Sequence, residues 1–134
     1  MNPPRVLVIE PDALLRTLVA EWLEQVGIHA VFPAGGPREA AATLGSVGAI
    51  VVDIPSPPHA ESVLQAWRRV FPNTAIIAAS ARVPASDDAD NAMAGRLAVN
   101  RVLAKPYSRH ELYAALGIPA RQERTRCPDS GKGY

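Results

Sequence analysis

The stretch Val6-Leu7-Val8-Ile9-Glu10-Pro11-Asp12 joins a run of four apolar residues to two acidic residues that follow it closely. A continuous apolar run of this length, rich in β-branched residues, predicts a strand that is buried on both faces, as in a parallel sheet. Over residues 12–26 apolar side chains recur at helical spacing, and Gly27 then marks the end of a helix. This part of the chain therefore predicts a β/α unit with carboxylates at the end of its strand.

The same order of a short apolar run and a helical pattern recurs along the chain. Strands are predicted at 30–32, 49–52, 75–79 and 101–104, and helices at 37–44, 59–71, from the polar stretch 86–91 to about 98, and at 108–116. Alternation of this kind is typical of parallel sheets with helices on both faces. The fold class predicted is α/β, a flavodoxin-like doubly wound (βα)5 architecture with a five-stranded parallel sheet in the order 2-1-3-4-5.

The composition is that of one soluble globular domain. The 134 residues are 48% hydrophobic and 20% charged, and the net charge of +1 gives no reason to expect nucleic acid or a membrane surface as a partner. The single cysteine, Cys127, excludes an internal disulfide and a cysteine-built zinc site. We expect one domain at 5–117 and a flexible tail at 118–134, and a cytoplasmic location because no signal-peptide core or membrane-spanning stretch is visible.

Chemically reactive side chains follow four of the predicted strands. Glu10 and Asp12 come after the first strand, Asp53 after the third, Ser80 after the fourth and Lys105 after the fifth. Ligand sites of doubly wound sheets lie beyond the carboxyl ends of the strands, so these groups are expected at one edge. Clustered carboxylates repel one another unless a cation such as Mg²⁺ relieves them. A carboxylate can also act as a nucleophile toward phosphorus, with Lys105 and Ser80 near the new phosphoryl oxygens.

Four segments carry a resemblance to a known family. They are 6–10, then 51–53 with Pro57 four residues later, then Ala79-Ser80-Ala81, and finally Ala104-Lys105-Pro106-Tyr107. In this order and spacing they resemble the receiver domain of response regulators in two-component signalling, of the chemotaxis-regulator type, over about residues 5–117. No single motif is specific, but the ordered set on alternating β/α units is. The resemblance also implies a cis peptide bond before Pro106.

The resemblance implies a role for each residue at the strand ends. Asp53 is the phosphoacceptor, modified by a histidine kinase or a histidine phosphotransfer protein. Lys105 pairs with the phosphoryl group and Ser80 moves toward it as a switch. Mg²⁺ is held by Glu10, Asp53 and the main-chain carbonyl of Pro55. No activity on a separate substrate is implied, only self-catalysed phosphoryl transfer and dephosphorylation on Asp53.

A protein of this kind acts by protein–protein contact. The resemblance places the contact face, a candidate homodimer interface, on the predicted fourth helix, fifth strand and fifth helix. The residues expected on that face are Ala94, Leu97, Val102, Tyr107 and Leu112.

The sequence departs from the family pattern at three places. Pro11 replaces the second of two adjacent acids, Val102 replaces an aromatic switch residue, and the loop 54–59 is rich in proline. Asp12 is acidic, but near a helix start one position turns a side chain by roughly 100°. It is either the N-cap of the first helix or a displaced metal ligand. These departures favour an alternative function, a pseudo-receiver that binds partners without phosphorylation. A flavodoxin-like small-molecule binder is disfavoured because no glycine-rich phosphate loop follows the first strand.

Overall fold

The computed structural model describes residues 4–33, 35–54, 59–81, 99 and 101–118. These residues form a five-stranded, fully parallel sheet in the order β2-β1-β3-β4-β5. The elements in chain order are β1 (Arg5–Ile9), α1 (Ala13–Glu24), β2 (His29–Val31), α2 (Pro37–Leu44), β3 (Ala49–Asp53), α3 (His59–Val70), β4 (Ala75–Ser80), β5 (Arg101–Ala104) and α4 (Arg109–Leu116). The predicted fold class and strand order are confirmed.

Most predicted boundaries lie within two residues of the observed ones. The predicted first helix, 12–26, begins one residue before α1 and ends two residues after it, because Asp12 is the N-cap of α1 and the chain turns at Gly27 with a φ of 79°. The predicted fifth helix corresponds to α4, the fourth helix of the described residues. The predicted helix ending near residue 98 lies outside the described residues, as does the predicted tail beyond 118, so the proposed domain limits stay predictions.

Successive strand residues point to opposite faces of the sheet and build two cores. Leu7, Ile50 and Ile76 are fully buried on the face that α2 and α3 cover, where Leu64 and Trp67 pack against them. The other face is covered by α1 and α4, and its buried residues include Val6, Val8, Val19, Leu23, Val51, Ile77 and Leu112. The strands are buried on both sides, which is why they read as continuous apolar runs in the sequence.

The start of α4 shows how local sequence fixes the connection after β5. Ser108 Oγ accepts a hydrogen bond from the Glu111 amide at 3.1 Å, and the Glu111 carboxylate accepts one from the Ser108 amide at 2.7 Å. This reciprocal capping box satisfies two amides that the helix leaves without internal partners. The capping box anchors the helix directly after the segment that carries Lys105.

The expected contact face is wrong for three of its five residues. Val102, Tyr107 and Leu112 are 1%, 7% and 0% exposed, and all three are part of the core. Val102 is part of the core that α3 helps to build on one face of the sheet, and Leu112 points from α4 into the core on the other face. They therefore contribute to folding, and they cannot form an apolar surface patch. Ala94 and Leu97 lie outside the described residues.

In the described ranges, no helix has both the length and the apolar character needed to cross a membrane.

Candidate functional site

The carboxyl ends of four strands bring the predicted site residues to one edge of the sheet. Asp53 is the last residue of β3 and pairs in register with Ala79 of β4. Ser80 ends β4 and its carbonyl accepts a hydrogen bond from the Lys105 amide at 2.9 Å. Glu10 follows β1 directly. Because adjacent strands end at nearly the same level, residues distant in sequence meet here. This agrees with the prediction that the reactive side chains gather beyond the carboxyl ends of the strands.

Lys105 joins the two carboxylates of the site. Its ammonium nitrogen Nζ lies 2.6 Å from Asp53 Oδ1 and 2.9 Å from Glu10 Oε1. The side chains of Lys105 and Asp53 are 18% and 23% exposed, whereas that of Glu10 is only 3% exposed. Asp53 is thus the carboxylate that solvent can reach, and Glu10 is the one that the protein encloses.

Glu10 is held by both of its carboxylate oxygens. Oε1 contacts Lys105, and Oε2 accepts a hydrogen bond from the Asp12 amide at 3.0 Å. A buried carboxylate is stable only when it is paired and hydrogen-bonded, and here both conditions are met. Glu10 is therefore an enclosed member of the site, although it lies at a strand end.

The charges of the site affect two titratable neighbours. Burial lowers the pKa of Lys105, but its hydrogen bonds to Asp53 and Glu10 and the charges of both carboxylates outweigh burial, so the pKa is raised above its ordinary value of 10.5. Burial raises the pKa of Tyr107 well above 10.0, and the negative charges of Glu10 and Asp53 add to the effect. Two carboxylates facing one ammonium leave an excess of one negative charge, which favours a further cation at this edge.

Solved structures of similar shape place this arrangement in context. No family model matches the sequence, and no curated protein matches it. The receiver domain of the Francisella response regulator 1452 is 26% identical, with a TM-score of 0.66, over 91% of this chain and 98% of that chain. A sensor protein from Polaromonas sp. JS666 is also 26% identical, with a TM-score of 0.63, over 85% of this chain and 93% of that chain. The chemotaxis protein CheY4 of Vibrio cholerae is 18% identical, with a TM-score of 0.64, over 86% and 97%.

This chain has the receiver-domain fold of response regulators. Receiver domains are signalling domains, and the likeness supports a general role in signal transduction. The candidate functional site of this chain is therefore the edge of the sheet that carries Asp53.

Asp12 is engaged at the start of α1. Its Oδ1 accepts hydrogen bonds from the amides of Leu14 at 2.9 Å and Leu15 at 3.3 Å, and its backbone is extended, as an N-cap requires. The geometry supports the capping interpretation of this residue. Its contribution to the receiver site comes instead from its own amide, which donates to Glu10.

Three further predictions concern residues around the site. The Lys105–Pro106 peptide bond is cis, as the resemblance implied. Ser80 is 2% exposed at the end of β4, and the role of its hydroxyl as a switch stays a prediction. Pro55, whose carbonyl was expected to bind Mg²⁺, lies outside the described residues.

One functional candidate was missed by the sequence analysis. Arg16, in the second turn of α1, donates from Nη1 to the carbonyl oxygens of Glu10 at 2.9 Å and Pro11 at 3.4 Å. Its partners are main-chain atoms, so no pattern of side-chain types in the sequence points to this contact.

The donor set of the site agrees with a magnesium ion held by few protein ligands. Within the described part of the chain, no three His, Cys, Asp or Glu side chains gather closely enough to form a metal cluster. Mg²⁺ does not need such a cage, because it commonly binds through one or two carboxylates and keeps several waters. Glu10 and Asp53 offer two carboxylates with only one ammonium between them. These residues therefore fit the ion, with one acid fewer than the family pattern.

Proposed function

We propose that this chain is a phosphorylation-dependent signalling receiver, in which Asp53 accepts a phosphoryl group from a histidine kinase or a histidine phosphotransfer protein. The observation that carries the proposal is the contact of Lys105 Nζ with Asp53 Oδ1 at 2.6 Å and with Glu10 Oε1 at 2.9 Å. It joins an accessible carboxylate, a fixed ammonium and a second, buried carboxylate at the edge where receiver-type folds bind ligands.

The proposed reaction is a displacement at phosphorus. An oxygen of the Asp53 carboxylate forms a new P–O bond while the P–N bond of the donor phosphohistidine breaks, and the imidazole nitrogen keeps the electron pair. The product is an aspartyl phosphate. Lys105 already contacts Asp53, so its ammonium can donate to the phosphoryl oxygens as their charge develops, without a large rearrangement.

Glu10 and Asp53 are the residues that would hold Mg²⁺, together with the Pro55 carbonyl as the resemblance implies. Bound there, the ion would neutralise part of the negative charge shared by the carboxylates and the phosphoryl group. Glu10 acts independently of the ion as well, because it keeps the Lys105 ammonium at the site through its own salt bridge.

After phosphorylation of Asp53, the phosphoryl oxygens would compete with the Asp53 and Glu10 carboxylates for the Lys105 ammonium. The phosphoryl group has three acceptor oxygens and a charge of roughly −2, and it would be attached to the carboxylate that Lys105 now contacts. We propose that Ser80, buried at the end of the neighbouring strand, responds to the same group and passes the change to the surface. Signalling would then proceed by contact with another protein.

Beryllofluoride binding tests this function without a kinase. The wild-type protein is mixed with beryllium, fluoride and millimolar Mg²⁺, and the bound species is followed by ¹⁹F NMR. We expect a bound signal in the wild type and none in Asp53→Asn. Asp12→Asn is a matched control, because it removes an acid near the site while keeping a good N-cap, and it should retain the signal. A wild type without a bound signal, or Asp53→Asn with one, would falsify the proposal.

A second candidate function is a constitutive binding module that has kept the receiver fold. It is favoured by Pro11 in place of an acid and by the use of Asp12 as a helix cap. The two functions differ in one observable. If the chain is a constitutive module, the wild type and Asp53→Asn have the same affinity for the partner, with or without beryllofluoride. If it is a phosphorylation-dependent receiver, beryllofluoride changes the affinity of the wild type and leaves that of Asp53→Asn unchanged.

A further inference from the structure

The connection between β1 and α1 carries Glu10 into the site and is only three residues long. Its middle residue is Pro11, which has no amide hydrogen to donate. The main chain here has left the sheet ladder but has not yet entered the helix. Other groups must therefore fix it if the Glu10 side chain is to reach Lys105.

Three hydrogen bonds hold this connection. The Glu10 carboxylate accepts one from the Asp12 amide at 3.0 Å. Arg16 Nη1 donates the other two, to the Glu10 carbonyl at 2.9 Å and, with a longer contact, to the Pro11 carbonyl at 3.4 Å. Arg16 is anchored in turn by the helix itself, since its amide donates to the Asp12 carbonyl at 3.0 Å.

We propose that Arg16 is a positioning residue for the site: by holding the main-chain carbonyl of Glu10, it keeps the Glu10 carboxylate on Lys105. A glutamate has one more rotatable bond than an aspartate, so its carboxylate has more positions to lose when it is fixed. A rigid main chain at Glu10 reduces that cost. Arg16 suits this task because a guanidinium donates several hydrogen bonds in a fixed plane.

The positioning part of this proposal stands on the contacts alone, and its effect on phosphoryl chemistry rests on the function proposed above. The two parts are therefore measured separately. Hydrogen exchange of the Asp12 amide reports whether the Glu10 carboxylate is in place, since that amide donates to it. Beryllofluoride affinity reports whether the substitution of Arg16 also weakens binding at Asp53.

The test compares Arg16→Met, Arg16→Lys and Arg5→Met. Arg5 is a matched control because it also donates to two main-chain carbonyls, those of Leu44 at 2.8 Å and Ser46 at 3.1 Å, but at the amino end of β1. We expect Arg16→Met to speed exchange of the Asp12 amide about tenfold, and Arg16→Lys to restore part of the protection. Arg5→Met should leave this amide unchanged even if it lowers global stability.

Apparent beryllofluoride affinity should fall about tenfold in Arg16→Met, in the range seen when a group that orients a ligand-binding side chain is removed. It should stay unchanged in Arg5→Met. Equal exchange of the Asp12 amide in Arg16→Met and Arg5→Met would overturn the positioning role. If the wild type binds no beryllofluoride, the proposed phosphoacceptor function fails, and the exchange data still decide the role of Arg16. If Arg16→Met does not fold, Arg16→Lys against Arg5→Lys decides it, with a faster Asp12 amide expected only in the first.

Discussion

Lys105 and Asp53 are 52 positions apart in the chain, yet Lys105 Nζ and Asp53 Oδ1 are only 2.6 Å apart. Two strand ends produce this contact: β3 stops at Asp53, and Lys105 follows β5. The same ammonium binds the buried Glu10, so one cation serves two carboxylates with different exposure. That difference gives the two acids different expected roles, one structural and one reactive.

Neutralising the two carboxylates should have unequal effects on folding. Glu10→Gln removes the charge that pairs with Lys105 inside the protein, and we expect it to lower the free energy of unfolding by about 1–3 kcal/mol. Asp53→Asn removes the excess negative charge from a more exposed position, so its effect should stay within about 1 kcal/mol. Urea denaturation at pH 7 measures both. A larger loss for Asp53→Asn than for Glu10→Gln would contradict this assignment.

The stability of the protein should fall at alkaline pH. The native pKa of Lys105 is raised above 10.5 and that of Tyr107 above 10.0, so between the unfolded and native values the native state holds more protons than the unfolded state. The free energy of unfolding therefore decreases as pH rises through this window. We expect urea midpoints to be flat with respect to these two groups below about pH 9 and to decline above pH 10.

Tyr107→Phe provides the control for that decline. The phenylalanine cannot ionise, so the variant should lose stability less steeply above pH 10 than the wild type does. A wild-type stability that rises from pH 10 to 11, or an equally steep decline in Tyr107→Phe, would show that Tyr107 does not contribute.

The role of Asp12 can be separated into capping and charge. Asp12→Ala removes the oxygen that accepts from Leu14 and Leu15, and we expect it to lower the free energy of unfolding by about 1 kcal/mol. Asp12→Asn keeps an acceptor oxygen and should cost only a few tenths of that. Isothermal titration with Mg²⁺ then tests ligation: Asp12→Asn should bind the ion as the wild type does, while Glu10→Gln should bind it more weakly. Equal weakening in both variants would make Asp12 a ligand.

The sequence was sufficient for the fold and for the convergence of the main site residues. Continuous apolar strands and helical repeats predicted the sheet, and the position of ligand sites at the carboxyl ends of parallel strands predicted that Glu10, Asp53 and Lys105 lie together. Contacts that involve the main chain could not be predicted, because residue type does not reveal them. The Arg16 contact with the Glu10 carbonyl and the Asp12 amide bond to Glu10 are of this kind.

The orientation of side chains near β5 also could not be predicted from the sequence. Val102 and Leu112 belong to short elements, where apolar residues are too few for a pattern to separate a buried face from an exposed one. The resemblance implied that both residues lie on a contact face, and the structure places both in the core. Burial there depends on which helices cover each face of the sheet, and this is a property of the whole fold.

The central claim is that Asp53 is the phosphoacceptor. Its most direct test is to incubate the wild-type protein with acetyl phosphate and Mg²⁺ and to locate any phosphoryl group by tandem mass spectrometry of peptides prepared under conditions that preserve aspartyl phosphate. We predict one phosphoryl group per chain, on Asp53, and none on the corresponding peptide of Asp53→Asn. An unmodified Asp53 peptide from a folded wild-type protein, or a phosphoryl group on another residue alone, would contradict the claim.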